Sequence, residues 1–164
     1  MTSYKIIYDA FLAKIEEDKW CDDITEYIST LADWESLLEA AISWFKFPRV
    51  SLARTGSSYD DNCDIIKIGE FEADLNNQEI QIIATLMKWM WLDRTINSWE
   101  NVKVMYDEKD FSQGNLLNNF IKLLDKTEKQ CYRLQKLYSR SREDEFGERK
   151  PYQFSKLAGK NNGI

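Results

Sequence analysis

An all-α bundle of about four helices is the fold class this sequence predicts, with a long C-terminal helix, a small β arm near residues 49–72 and an extended C-terminal tail. Three observations predict it. Apolar side chains recur at spacings of three and four in stretches divided by polar, turn-forming residues. One stretch behind Pro48 alternates apolar with polar instead, the pattern of short strands. A last stretch, Leu117 to Tyr138, keeps a 3-4-3-4 spacing. At 164 residues the chain suffices for one compact domain. The helical body is drawn at 1–142 and the tail at 143–164.

The first helix is expected from Tyr4 to about Glu17, capped by Ser3, with Ile7, Tyr8, Phe11, Leu12 and Ile15 as one apolar stripe. A polar turn spans Asp18 to Asp23. A short helix through Ile24, Tyr27, Ile28 and Leu31 follows, and Asp33 caps another that carries Leu37, Leu38, Ala41, Ile42 and Phe45. Pro48 stops it, because proline donates no amide hydrogen and disfavours helical geometry in the residue before it.

Val50 and Leu52, then Ile66, Ile68 and Phe71, alternate as strands do, around a polar loop from Thr55 to Asn62. A lone two-stranded hairpin is marginal in water, so the arm must lie on the helices or on a neighbouring subunit. Asn76 or Asn77 caps the next helix, whose stripe is Ile80, Ile83, Ala84, Met87 and Trp91. A connection that is helical in part follows, anchored by Trp99 and Tyr106. The final helix opens near Asp110 or Ser112 and runs about 30 residues. Its seam is Leu117, Phe120, Leu124, Thr127, Cys131, Leu134 and Tyr138; Thr127 and Cys131 weaken a coiled-coil reading and leave a helix packed in its own domain as the alternative. At 1.5 Å per residue it reaches about 45 Å, so its basic distal half, Lys129 to Arg142, is free to project beyond the body. In the polar tail, Tyr152, Phe154 and Leu157 are candidates for docking on a partner.

Charge is unevenly divided. Residues 1–121 carry 22 acidic and 11 basic side chains, whereas 122–142 carry two acidic and seven basic. The acidic body repels phosphates and is a poor DNA grip, and the basic stem suits an acidic protein surface. Cys21, Cys63 and Cys131 are far apart and lack metal-like spacing, as reduced cysteines of a cytoplasmic assembly would be. No leader and no membrane-spanning run is read in the chain.

The chain has no histidine, which removes the commonest general base and neutral metal ligand. Gly56 stands alone, so no phosphate-cradling loop is present. The carboxylate pairs Glu16/Glu17, Asp22/Asp23 and Asp60/Asp61 sit in polar stretches where a solvated surface is the default. Asp60-x-Asn62-x-Asp64 begins like a calcium loop but places Ile65 where the turn glycine belongs and Phe71 where the bidentate glutamate belongs. No catalytic residue, cofactor or metal is therefore expected. Trp91 shares the core stripe; Trp89 lies off it and, with Trp99, is a candidate contact between subunits.

Glu79, Ile83, Leu86, Met87, Trp91, Leu92, Ile96, Ser98, Glu100, Lys109, Asp110, Phe111, Ser112, Asn115 and Leu117 form an ordered series. Ahead of them stand Ile7-Tyr8-Asp9-Ala10-Phe11-Leu12-x-Lys14-Ile15 and Leu37-Leu38-x-x-Ala41-x-x-x-Phe45. In order and spacing this resembles the head-tail adaptors of tailed bacteriophages, the small neck proteins under the portal, over most of residues 4–142. None of these positions is a chemical signature; each also suits packing alone. The resemblance implies a structural virion protein, assembled in the host cytoplasm, that forms a ring with copies of itself, commonly a dodecamer. That ring docks on the portal protein, meets downstream neck or tail proteins and continues the DNA channel, its acidic walls keeping DNA from sticking. Arg140, Arg142, Arg149, Lys150, Tyr152 and Phe154 are the candidates for portal contact. The alternative is a small soluble phage-encoded regulator that binds one host or phage protein.

Overall fold

The structure, a computed structural model, describes residues 1–15, 24–59, 65–103, 111–140, 142–143 and 149–150. In chain order it runs β1 (Thr2–Ser3), α1 (Tyr4–Ile15), α2 (Ile24–Ser43), β2 (Arg54–Thr55), β3 (Ser58–Tyr59), β4 (Ile65–Lys67), β5 (Glu70–Phe71), α3 (Asn77–Lys103), α4 (Phe111–Arg140), β6 (Arg142–Glu143) and β7 (Arg149–Lys150). The described residues are mostly helical, as the periodicity predicts.

α3 is the central helix, and each of the other three packs along it. The expected single stripe is too narrow for that position. Ile82, Ile83, Ala84, Thr85, Leu86 and Met87 are all buried in succession, so this part of the helix is covered on every side. The helix is also longer than expected: it continues past Trp91 to Lys103, absorbing most of what reads as a connection. Thr85 and Thr95 return their hydroxyls to the carbonyls of Gln81 and Trp91, at 2.6 and 2.7 Å, which satisfies them without leaving the helix.

Residues 24–43 form one helix where two are expected. Asp33 is not a cap: it sits on the outer face and pairs with Arg94 of α3 at 3.1 Å. The reason lies in the sequence around it. Leu31, Trp34, Leu37, Leu38, Ala41 and Phe45 form an unbroken buried stripe, and no glycine or proline interrupts it. The expected turn at 18–23, with its caps Asp22 and Asp23, lies outside the described residues, as do Tyr106 and Asp110; Ser112 falls inside α4.

The β arm is more than a hairpin. β1, which the alternation does not predict, joins β5 and β2 in an antiparallel sheet of order β1-β5-β2, with Thr2 opposite Phe71 and Arg54 also opposite Phe71. β3 and β4 form a separate pair. Val50 and Leu52 lie ahead of the strands and pack half-buried on the core, while Thr55, Ser58 and Tyr59, expected in a loop, are strand residues. As the marginal stability of hairpins requires, the arm rests on helices. Arg54 pairs with Glu39 of α2, holding that carboxyl below its usual range, and Glu35 accepts the Ser57 amide at 3.0 Å. The Tyr4 amide donates to the Gly69 carbonyl at 2.9 Å. Gly69 must be glycine for want of space: a Cβ there would lie 2.7 Å from the Thr55 carbonyl oxygen and overlap the Tyr4 ring.

Tyr4, Tyr8, Phe11, Trp34 and Phe71 build an aromatic core under this sheet. Edge-on packing links Tyr4 to Phe71 (centroids 5.3 Å) and Tyr4 to Tyr8 (6.2 Å), and Tyr8 tilts on Trp34 at 5.4 Å. The seam of α4 is a core seam in its own domain. Thr127, Cys131 and Tyr138 are buried, with Cys131 Sγ 3.5 Å from the Thr85 carbonyl of α3. The distal half therefore docks on the body and does not project from it.

Candidate functional site

The place where α2 ends against α3 and α4 holds a connected polar network. The α2 end tightens as the Trp44 and Phe45 amides donate to the Ala41 and Ile42 carbonyls, both at 3.1 Å, and Pro48 prevents continuation. The chain then crosses α4 and is clamped there. The Lys46 amide donates to Gln135 Oε1 at 2.7 Å and the Arg49 amide to the Tyr138 hydroxyl at 3.0 Å. The Arg49 guanidinium lies 4.5 Å over the Tyr138 ring and donates to the Tyr138 carbonyl, one of the acceptors a helix end leaves open.

Tyr138 passes the network on by donating its hydroxyl to Glu79 Oε1. Glu79, fully buried, accepts the Asn76 amide at 2.8 Å, while Asn76 Oδ1 accepts the Glu79 amide at 3.0 Å, a reciprocal cap on the first turn of α3. The sequence signal for this cap, Asn-x-x-Glu, is visible; its use as an anchor for α4 is not. Burial, with the Glu79 hydrogen bond adding to it, pushes the Tyr138 phenol up to about 12.

This clamped turn carries Phe47 at φ 59° with its ring 79% exposed. A left-handed backbone costs a residue with a Cβ about 1–2 kcal/mol, and residues before proline are normally extended. Beside it, Trp44 is 42% exposed and stands edge-on to Trp89 with centroids 5.1 Å apart. The Lys46 ammonium lies 5.3 Å from the centre of the Tyr132 ring, itself 45% exposed. Single exposed apolar side chains are ordinary; here exposed Trp44 and Phe47 flank Lys46 on one turn, and Lys46 reaches the exposed Tyr132 ring of the helix that the turn crosses.

The sequence-predicted residues fall elsewhere. Arg140 is exposed at the end of α4. Arg142 and Lys150 are opposite one another in the β6–β7 pair, and Glu143 is opposite Arg149, so the backbone brings four of the six portal candidates to one end of α4. Tyr152 and Phe154 lie outside the described residues. Trp89, expected on an outer contact, is half-buried against Trp44, and Trp91, expected inside, is half-buried too; Trp99 belongs to α3. The residues that sequence reasoning passed over are Trp44, Lys46, Phe47 and Tyr132. The signal for the first three was Trp-Phe-Lys-Phe-Pro at a helix end, where turn chemistry normally favours small polar residues.

A cleft of about 240 Å³ between the start of α3 and the end of α4 is lined by Asn77, Gln78, Gln81, Ile82, Leu134 and Tyr138. Ligand pockets usually hold about 300–1,000 Å³. Burial pushes the Cys131 thiol up to about 12, away from a nucleophilic thiolate. Among the described residues no three acidic or cysteine side chains cluster as metal ligands. No helix among them is long and apolar enough to cross a membrane. No protein family, curated protein or solved structure matches the chain.

Proposed function

We propose that this chain is a structural head-tail adaptor of a tailed phage, a ring-forming neck protein that binds the portal and continues the DNA channel. The reading rests on the ordered series of residues between Tyr4 and Arg142. The observation that carries it furthest is the basic end of α4. Arg140 is followed within two residues by a strand pair that sets Arg142 against Lys150. With Arg149 in the same strand pair, four basic residues gather at this end of the chain's last helix, a composition that complements an acidic surface. A chain without histidine suits work done by shape and contact more than by acid-base chemistry.

In this reading α3 is the rigid axis, the sheet braces its start, and α4 presents the basic end to the portal. Exposed carboxylates of the body face the channel and repel passing phosphates. The test is the composition of purified particles. The full chain is expected in them in a fixed ratio to portal, and a chain truncated after Arg142 is expected to be lost from them. Particles free of the chain would overturn the reading and favour a soluble regulator, which would be found in lysate bound to one partner. Wild-type incorporation of the truncated chain would remove the basic end as the grip.

A further inference from the structure

We propose that the outer face of α4 is a binding site for the phosphate backbone of duplex DNA, indifferent to base sequence. This goes beyond the adaptor reading, which uses Arg140 alone of the residues concerned. α4 carries six basic side chains, Lys122, Lys126, Lys129, Arg133, Lys136 and Arg140, and all six are exposed. Their spacing is 4-3-4-3-4, which sets them in one row on the side of the helix opposite buried Thr127, Cys131 and Tyr138. At 1.5 Å per residue the row is about 27 Å long. The helix holds two carboxylates against it: Asp125, which takes Lys129 at 3.2 Å, and Glu128, half-buried off the row. The other five cations make no ion pair among the described residues.

Spacing and composition select the occupant. Duplex DNA carries one negative charge per about 1.7 Å of its axis, denser than one cation per helical turn of about 5.4 Å. Each cation therefore finds a phosphate without a fixed register. An acidic protein would have to repeat its carboxylates at a matching spacing, and protein interfaces centre on contacts depleted of charge. Ile121 lies to one side of the row and Leu123 and Leu137 to the other, with exposed Gln130 between those two, so no apolar seam runs beside it. Single strands are held by stacking bases on aromatic faces, and the exposed Tyr132 ring has the Lys46 ammonium 5.3 Å over it. An anionic membrane takes up a helix by its apolar face, which in α4 lies in the core. The acidic body leaves the row effective: fields of exposed charges fade over about 8 Å at physiological salt, less than a helix diameter of about 10–12 Å.

The experiment is fluorescence anisotropy of a labelled mixed-sequence duplex, titrated with the purified full chain between about 50 and 200 mM salt. Wild type is expected to bind at the lower salt and to lose about 10³-fold in affinity at the higher, as six phosphate contacts imply. Lys126→Gln/Arg133→Gln is expected to weaken binding about tenfold or more at low salt and to lower the slope of log affinity against log salt by about two. Its circular dichroism should stay unchanged, because both side chains are exposed. The charge-matched Lys5→Gln/Lys67→Gln, on α1 and β4, is expected to leave affinity and slope as they are. A wild type that ignores the duplex at low salt, an affinity insensitive to salt, or equal losses in the two double variants would each overturn the proposal. Binding to a polyglutamate peptide or to phosphatidylserine vesicles but not to the duplex would overturn it in favour of an acidic protein or a membrane. The presence of the chain in particles, which tests the adaptor reading, is measured independently of these results.

Discussion

The aromatic core beneath the β1-β5-β2 sheet and the clamped turn between α2 and α4 hold together by different physics. Under the sheet, Tyr4, Phe11 and Phe71 are fully enclosed, and the Tyr4 ring stands edge-on to Phe71 and to Tyr8. At the turn, backbone amides and a guanidinium hold Tyr138, while Trp44 and Phe47 face solvent. The first region contributes stability in proportion to apolar area and tolerates no added volume. The second fixes a position through directional bonds of modest net worth, and so can keep a strained backbone in one place. Burial makes the fold, and hydrogen bonds aim the surface.

Breaking the sheet-side region should cost most. Phe11→Ala is expected to lower unfolding free energy by about 3–5 kcal/mol in urea, through lost transfer energy and a cavity. Alkaline titration touches both regions. Burial pushes the phenols of Tyr4 and Tyr138 up to about 12, against 10.0 when exposed. Between those values the unfolded chain releases protons the folded one keeps. The stability these groups retain below pH 10 is therefore lost as pH rises toward 12. Tyrosinate absorbance should rise together with unfolding; a smooth titration at ordinary phenol pKa with the fold intact would contradict it.

Smaller effects sharpen the contrast. Gly69→Ala should destabilise by about 2 kcal/mol, because a backbone carbonyl and an enclosed ring must both move. Tyr138→Phe should cost about 1.5 kcal/mol by leaving the Arg49 amide and Glu79 each short of a partner. Coupling to Glu79→Gln in a double-mutant cycle would show whether the network acts as a unit. Smallest of all, Phe47→Gly should raise stability by about 0.5 kcal/mol, relief of positive φ slightly exceeding glycine's added chain entropy. Equal losses at Phe11 and Phe47 would erase the distinction between the two regions.

Much of this was legible residue by residue. The start of α1 at Tyr4, the cap at Asn76, the start of α4 next to Ser112 and the buried stripe of α2 all follow from local rules of capping and spacing. What misled was also local: Asp33 reads as a cap, though only an apolar stripe that runs past it decides otherwise. β1 was hidden because two residues carry no alternation, and Thr2–Ser3 become a strand only where β5 is there to pair with them. The exposed patch was hidden for a related reason. Aromatics at a helix end read as core until the path of the chain leaves them outside.

The sequence by itself determined where α1, α3 and α4 begin, which stripes of α1 and α2 are apolar and how charge divides between body and stem, because each depends on residues within one or two turns of one another. Tertiary structure alone decided that α3 is enclosed on every side from Ile82 to Met87, that α4 docks through Thr127, Cys131 and Tyr138, and that Phe47 faces solvent in a left-handed backbone. Those outcomes depend on contacts between residues 46–49, 76–79 and 135–138. Enclosure and strain are properties of the assembled neighbours, and no window along the chain contains them.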